Sequence, residues 1–199
     1  MSSSYEANSP ARRRILEAAI AALEQGHDDV LQMGTVAKRA GVSRQAVYLH
    51  FRSRAELAIA VARYTDEKYG LDEAVRPIAE ATDAEGMLTA YAAFLAGYNP
   101  RIHLVVRMAS TMRRSDPASE AAWQDRLRNR RRNARRMAKR LQTWQRLNGD
   151  FSLRTAADWL TALGSVALWE ELVLDLGWSH ARFRDTIARN CCRTLLTDP

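Results

Sequence analysis

Residues 43–51, SRQAVYLHF, place several hydrogen-bonding side chains on about two helical turns. Arg44, Gln45 and Tyr48 share one face, because residues three and four apart on a helix point the same way. A guanidinium can fork onto guanine O6 and N7, and a carboxamide can pair with adenine N6 and N7. Tyr48 and His50 can donate hydrogen bonds to phosphate oxygens. These residue types predict a helix that reads the major groove of DNA.

Capping and turn signals predict the elements that position this helix. Ser9 and Pro10 are typical of a helix start, as the N-cap and the first helical residue. A second helix over residues 33–40 is expected to end at Gly41, and Ser43 is expected to cap the third. Two short helices joined by a glycine-containing corner form a helix-turn-helix unit. The N-terminal end of its second helix would then face the polyanion with a favourable dipole.

The apolar side of the third helix predicts how it is anchored. Val47 and Phe51 form a pair that can dock on Val36, Ala40 and the first helix. The sequence SRAE at residues 53–56 predicts a capping box that opens a fourth helix, in which a hydroxyl and a carboxylate each accept a backbone N–H. We also expect the first helix to end at Gly26, before the polar connection HDDV.

Helical periodicity continues through the rest of the chain, with no alternating strand pattern. The loop signals YNP, RSDP, NGD and GWS separate longer helices, predicted over residues 84–98, 101–112, 118–147, 153–176 and 180–196. We therefore predict an all-α chain with two domains. An N-terminal three-helix helix-turn-helix domain spans 9–56, and a larger C-terminal helical domain for ligand binding and dimerisation spans 57–199.

Composition excludes several other classes. No stretch of the 199 residues approaches the ~20 apolar residues of a membrane span, and the N-terminus lacks the apolar core of a signal peptide, so we expect a cytoplasmic protein. Cys191 and Cys192 are adjacent, which suits neither a disulfide framework nor a metal site. The four histidines have no metal-ligand spacing, and no glycine-rich phosphate loop follows a strand. We therefore expect no enzyme, cofactor or metal.

The stretch VAKRAGVSRQAVYLHFRSRAEL, residues 36–57, resembles the DNA-binding signature of the TetR family of transcriptional regulators. The resemblance covers residues 10–60, and beyond them only helix number, lengths and order are similar. It implies base contacts by Arg44, Gln45 and Ala46, and phosphate contacts by Tyr48, His50 and Arg54.

One position departs from the family pattern. Members usually have Thr or Ser capping the second helix and touching phosphate, whereas this chain has Gln32 there and Gly34 in the first turn. Either Thr35 caps a shorter helix and contacts phosphate, or a backbone N–H makes that contact.

A single helix-turn-helix unit reads too few base pairs for useful discrimination, so we expect a homodimer on a palindromic operator. The last two long helices are the candidate interface, since a helical hairpin with an apolar outer face pairs into a four-helix bundle. Gly164 would permit close approach of the helices. Both apolar stripes can alternatively face the protein's own core. The stripes are Leu160, Leu163, Ala167 and Leu174, then Phe183, Ile187, Cys191 and Leu195.

The central helices carry many aromatic and flexible apolar side chains, which fit either a core or a pocket for a mostly apolar organic effector. The family resemblance favours the pocket. Its candidate lining residues are Tyr91, Phe94, Met108, Met112, Trp123, Leu127, Arg130 and Trp169.

Arg130 lies in an otherwise apolar seam of the helix near 118–147, where an unpaired buried guanidinium is unfavourable. It must reach solvent, pair with a carboxylate such as Glu170 or Glu171, or contact an anionic ligand.

Residues 101–147 hold 14 Lys or Arg and 3 Asp or Glu, so the basic excess lies outside the predicted DNA-reading helix. The arginine run 126–140 can contact phosphates or an acidic partner, or be only solvent-exposed. Together these observations predict a sequence-specific transcriptional regulator, a repressor released by its effector. The alternatives are a non-specific architectural DNA-binding protein and a helical small-molecule-binding enzyme.

Overall fold

A computed structural model describes residues 9–25 and 31–197. The expected helix end at Gly26 and the HDDV connection lie outside these residues. The described part is helical, without β-strands, as the sequence predicts. The helices are α1 Pro10–Glu24, α2 Met33–Ala40, α3 Arg44–His50, α4 Arg54–Lys68, α5 Leu71–Glu80, α6 Ala84–Met112, α7 Pro117–Thr143, α8 Leu153–Leu163, α9 Val166–Trp169 and α10 His180–Leu195.

The chain divides into two compact units. The first contains the residues up to Lys68 and Leu104–Gln124, so that α4 belongs to it as a whole, and the sequence-based boundary at 56–57 falls inside α4. Burial of apolar side chains from α1 to α4 forms its core. Its fully buried members include Ile15, Leu16, Val36, Val47, Phe51, Leu57 and Val61.

The second unit contains Tyr69–His103 and Asp125–Pro199. Its core is built by helices α6 to α10 around an apolar cluster whose fully buried members include Met87, Leu88, Ala138, Leu141, Leu160, Phe183 and Leu195.

The structure corrects two of the predicted helices. Helix α6 is continuous over Ala84–Met112 although Pro100 lies inside it, so the predicted YNP break is wrong. Proline in a helix interior costs about 3 kcal/mol, and the burial of Tyr98 and Ile102 on either side of it offsets that cost. Conversely, the predicted helix 153–176 is interrupted at Gly164 and Ser165 and continues after α9 as a π-helical turn, Glu170–Asp175.

Helix α5 was not predicted, and it has no buried residue. A guanidinium holds its C-terminal end, because Arg140 of α7 donates to the carbonyl oxygens of Ile78 (2.6 Å) and Ala81. A cation at a helix C-terminus also interacts favourably with the free carbonyls and the helix dipole. Tertiary contact rather than local sequence therefore places this helix.

The apolar stripe of α10 faces the protein's own core. Phe183, Ile187, Cys191 and Leu195 are all buried within the chain. Burial also raises the pKa of the Cys191 thiol to about 12. The interpretation of this stripe as an outer, partner-facing surface is therefore wrong, and the alternative that it packs internally is correct.

Gly164 serves an approach inside the chain as well. A Cβ at this position would collide with the hydroxyl of Tyr91, which donates a 2.8 Å hydrogen bond to the carbonyl of Leu160. The small residue therefore makes room for a tyrosine of α6, and no partner molecule is needed to explain it.

Candidate functional site

The corner between α2 and α3 is built by local hydrogen bonds. Gly41 adopts the left-handed conformation (φ 64°), which favours glycine, and ends α2. The N–H of Val42 donates to the carbonyl of Ala37 at 3.1 Å. Ser43 then caps α3, since its Oγ accepts the N–H of Ala46 at 3.1 Å. The predicted helix-turn-helix corner is confirmed.

Helix α3 has one anchored side and one free side. Val47 is buried, and Phe51, which follows the helix, is only 1% exposed. Both belong to the cluster that contains Val36, and Ala40 packs against that cluster. The guanidinium of Arg12 lies 5.1 Å from the ring centre of Phe51. The predicted docking of α3 on the first helices is therefore confirmed.

The free side of α3 carries the predicted DNA-reading residues. Arg44, Gln45 and Tyr48 are exposed, whereas Ala46 and His50 are half-buried. The Nη2 of Arg44 lies 3.4 Å from the hydroxyl of Tyr48, and its guanidinium lies over that ring at 5.7 Å. Because this contact is long and exposed, both groups remain available to a ligand.

Leu49 is a candidate residue that the sequence reading missed. Its side chain is 80% exposed, which is unusual for a leucine on a helix packed against a core. The signal was present in the sequence, because Leu49 lies four residues after Gln45 and so extends the same face.

The N-terminus of α2 decides between the two alternatives for Thr35. The helix begins at Met33 with Gln32 as its N-cap, and the Gln32 side chain makes no capping hydrogen bond. Thr35 is half-buried inside the first turns. Thr35 therefore does not cap a shorter helix, and that alternative is wrong.

Arg54 lies at the start of α4, within the capping box. Ser53 Oγ accepts the N–H of Glu56 at 3.1 Å, and the Glu56 carboxylate accepts the N–H of Arg52 at 2.8 Å. The predicted capping box therefore forms, with its second acceptor bond one residue earlier than in the usual pattern. Arg54, the first residue of α4, is exposed.

The predicted effector residues fall into both units. Met112 is buried and Met108 is half-buried, and both pack in the core of the first unit. Trp123, of the same unit, lies under the guanidinium of Arg113 at 4.9 Å. The other five predicted residues, Tyr91, Phe94, Leu127, Arg130 and Trp169, belong to the second unit.

Within the second unit, two of these aromatic residues have defined partners. Tyr91 is bound to the Leu160 carbonyl, and burial raises the pKa of its hydroxyl. Phe94 stacks on Tyr98 with ring centres 5.2 Å apart.

Arg130 has a partner that none of the sequence alternatives foresaw. Its Nη2 donates to the carbonyl of Thr161 at 2.8 Å, at the C-terminal end of α8. Burial lowers the pKa of this guanidinium, and the nearby Tyr91 raises it. Glu170 lies 3.3 Å from Nδ1 of His103. Among the described residues, the partner of Arg130 is a backbone carbonyl and not a carboxylate, which was one of the three alternatives.

Among the described residues of the second unit, three buried side-chain donor atoms have no protein partner. One is Nε of Arg146, whose Nη2 is bound to Glu85. The side-chain amide nitrogen of Asn99 and the indole nitrogen of Trp169 are buried and unpaired, in residues that are 3% and 2% exposed. A buried donor without an acceptor is unfavourable by about 1–3 kcal/mol. The sequence reading named Trp169 but not Asn99.

The surroundings of Trp169 are polar as well as aromatic. Its ring lies 5.3 Å from that of His103 and 5.9 Å from that of His180. Glu170, next in the chain, begins the π-helical turn. Such turns are frequent at functional sites. His103 lies four residues after Asn99 on α6, which places both on one face.

Comparison with known proteins identifies the N-terminal part. Residues 15–61 match the family model described as "Bacterial regulatory proteins, tetR family". The match covers about a quarter of the chain and shows that this segment is similar to the N-terminal part of TetR-family regulators. The match includes α3 and the elements that hold it, so the helix-turn-helix corner lies in the segment that is similar to the DNA-binding part of TetR-family regulators. No curated protein sequence matches the chain.

Solved structures extend the similarity to the whole TetR-like fold. A putative transcriptional regulator from Saccharomonospora viridis, in complex with choline, has a TM-score of 0.79 at 19% identity, over 96% of this chain and 100% of that one. The regulator FadR from Bacillus subtilis, in complex with stearoyl-CoA, has a TM-score of 0.71 at 14% identity, over 90% and 97%. A putative TetR-family regulator from Rhodococcus sp. has 0.69 at 21%, over 92% and 97%.

The described residues hold no group of three or more His, Cys, Asp or Glu side chains that could bind a metal ion. Among the same residues, no helix is both long and apolar enough to cross a lipid bilayer.

Proposed function

We propose that this protein is a homodimeric repressor that binds a palindromic operator through α3 and is released by a small organic effector. The observation that carries the proposal is the two-sided character of α3. Arg44, Gln45 and Tyr48 are exposed together, while Val47 and Phe51 fix the opposite side in the core. A rigidly anchored helix with free directional groups suits base reading in the major groove.

Each residue has a proposed role. Arg44 and Gln45 hydrogen-bond base edges, and the methyl groups of Ala46 and Leu49 contact thymine methyl or sugar carbons. The side chains of Tyr48, His50 and Arg54 contact phosphates. Because Thr35 lies inside α2 and does not cap it, backbone N–H groups of the first turn of α2 make the remaining phosphate contact.

The test is selection of a cognate duplex from a random library, followed by titration of cognate and scrambled duplexes. The double variant R44A/Q45A is expected to lose the preference for the selected site while keeping its fold. The control variant R189A removes an exposed arginine of α10 and should keep the preference. Unchanged preference in R44A/Q45A contradicts base reading by α3. Equal affinity of the wild type for both duplexes indicates an architectural protein.

Dimerisation is supported by exposed apolar side chains of the second unit, rather than by the stripe of α10. Trp159 of α8 is exposed, and so are Leu174 and Leu176, within and just after the π-helical turn. Contiguous exposed apolar patches are typical of partner surfaces, and we propose that these side chains contribute to one. We expect light scattering to show a dimer for the wild type and a monomer for W159E/L174E. The variant L49E carries the same change on α3 and should remain a dimer.

The effector site is proposed in the second unit, near Asn99 and Trp169. Their unpaired donors call for an acceptor oxygen in a ligand that is otherwise mostly apolar, because Phe94 and Tyr98 supply aromatic surface on the same helix. Bound effector would change the spacing of the two recognition helices and lower operator affinity.

Choline and stearoyl-CoA, the ligands of two structural neighbours, are the first probes for a thermal-shift experiment. A ligand bound only to the folded state raises the melting temperature. A compound that does so for the wild type, but not for N99A, and that releases the operator would support the proposal. A stabilising compound that leaves operator affinity unchanged would contradict effector release.

A further inference from the structure

The exposed side of α7 is strongly basic even after its structural arginines are set aside. Arg130 and Arg140 are bound to backbone carbonyls. Residues 126–149 include no aspartate or glutamate. Like charges three or four positions apart on a helix repel one another, so such a run destabilises the helix unless anions lie nearby. Helix α7 does not supply those anions over this stretch.

The exposed arginines of α7 line a surface cleft of about 330 Å³. Helix α7 supplies four guanidinium groups to its lining, and α8 supplies a fifth together with a single carboxylate. We call it the arginine cleft, defined by Arg128, Arg131, Arg132, Arg135, Arg154 and Asp158.

The charges of the arginine cleft do not balance. Oδ1 of Asp158 accepts two bonds from Arg131, from Nε at 3.0 Å and Nη2 at 2.6 Å. Its other oxygen lies 4.0 Å from Nε of Arg154. Five positive groups thus face one negative group in the lining, a net charge of +4. Arg128 has a further acidic neighbour outside the lining, Asp125, at 3.3 Å. The cleft therefore retains a marked excess of positive charge.

The spacing of these groups suits several phosphates joined together. Arg128 and Arg135 are seven residues apart, about 10 Å along a helix axis, and Arg131 and Arg132 lie between them. Each guanidinium can form a bidentate pair with a phosphate, which a lysine cannot. Arg154 contributes from a second helix, so a small molecule would be held from two sides. Guanidinium groups from two helices around one open cleft can converge on the clustered phosphates of a small molecule.

We propose that the arginine cleft binds the linked phosphate groups of a small molecule, either a free polyphosphate or a nucleotide. The site is separate from α3 and does not depend on the proposed operator binding. It gives the exposed arginines of α7 a ligand that neutralises them.

The test is isothermal titration of the full-length protein with phosphate, pyrophosphate and tripolyphosphate, at constant ionic strength and without divalent cations. Affinity is expected to rise with the number of linked phosphates, since more guanidinium groups are engaged. The variant R131Q/R135Q should bind tripolyphosphate about tenfold more weakly or worse, through loss of charge-assisted bonds. The control R189Q/R193Q removes two exposed arginines of α10 and should bind as the wild type does. Circular dichroism verifies that both variants are folded.

A parallel titration with ATP separates the two sources of phosphate. Tighter binding of ATP than of tripolyphosphate identifies a nucleotide, and equal or weaker binding identifies a free polyphosphate. The proposal is overturned if affinity does not rise with phosphate number, or if the control variant loses as much affinity as R131Q/R135Q. It is also overturned if R131Q/R135Q weakens an unrelated DNA duplex as much as tripolyphosphate, because the surface would then be a nucleic-acid contact.

Discussion

Helices α3 and α7 both present arginines, but their surroundings differ. On α3, Arg44 is exposed and has only a long contact to Tyr48. On α7, Arg130 and Arg140 are bound to carbonyl oxygens of other segments, and Arg131 is bound to Asp158. Several arginines of the highly charged α7 thus stabilise the fold of the protein itself, whereas the polar groups of the short, weakly charged α3 are exposed. Directional groups on an anchored helix, rather than charge density, distinguish the proposed DNA-reading element.

The largest expected effect breaks the anchoring of α3. Phe51→Ala should destabilise the first unit by about 3–5 kcal/mol, because an almost fully buried aromatic side chain is replaced by a cavity. Denaturant unfolding followed by circular dichroism measures this change. Leu49→Ala is the matched control from the exposed side, and it should change stability by less than about 0.5 kcal/mol. Equal losses in the two variants would show that α3 has no buried anchor.

A smaller effect tests whether α7 arginines stabilise the fold. Arg140→Gln should lower the unfolding free energy by about 1.5–3 kcal/mol, since a charged donor to two carbonyls is lost. Arg136→Gln is the control, because Arg136 is exposed and only contacts Asn133 at 3.4 Å. If both variants were equally stable, the hydrogen bonds of Arg140 to the C-terminal end of α5 would contribute nothing to stability.

The comparison is sharpest when both helices are tested on DNA. Arg44→Ala should reduce discrimination between cognate and scrambled duplexes by about 1–3 kcal/mol. Contacts to DNA phosphates set the dependence of operator affinity on salt concentration. We expect Arg128, Arg131, Arg132 and Arg135 to make no such contact, so their replacement by glutamine should leave this dependence unchanged. Fluorescence anisotropy at several salt concentrations measures both quantities. A shallower slope in the quadruple variant would place α7 on the DNA.

The smallest effect concerns the cap of α3. Ser43→Ala removes the acceptor for the N–H of Ala46 and should cost about 1 kcal/mol. Ser43→Gly should lower the unfolding free energy by only a few tenths of a kcal/mol, because glycine is tolerated at N-caps. Thermal unfolding of the two variants gives the comparison, and an alanine variant as stable as the wild type would argue against the cap.

Local signals were sufficient for much of the fold. Ser43 and Ser53 lie next to the helices that they cap, so their roles could be read from three or four neighbouring residues. The exposed face of α3 follows from helical spacing alone.

Contacts distant in sequence could not be predicted in this way. Arg130 binds a carbonyl 31 residues away, and Arg140 binds two carbonyls 62 and 59 residues away. A backbone carbonyl carries no signature in the sequence, so none of the three alternatives for Arg130 included this partner. The unpaired state of the side-chain donors of Asn99 and Trp169 could not be predicted for the same reason, since only the folded chain shows that they lack an acceptor.

The clamp of Arg140 on α5 has a consequence for dissecting the protein. Ten residues with no buried side chain cannot sustain a helix in water, because isolated helices shorter than ~12–15 residues are marginal. A synthetic peptide spanning Leu71–Glu80 should therefore be a random coil, and limited proteolysis should cut there first once the guanidinium is removed. The segment is therefore helical only when α7, two helices later in the chain, contacts it. Its helicity indicates whether α7 has packed against it.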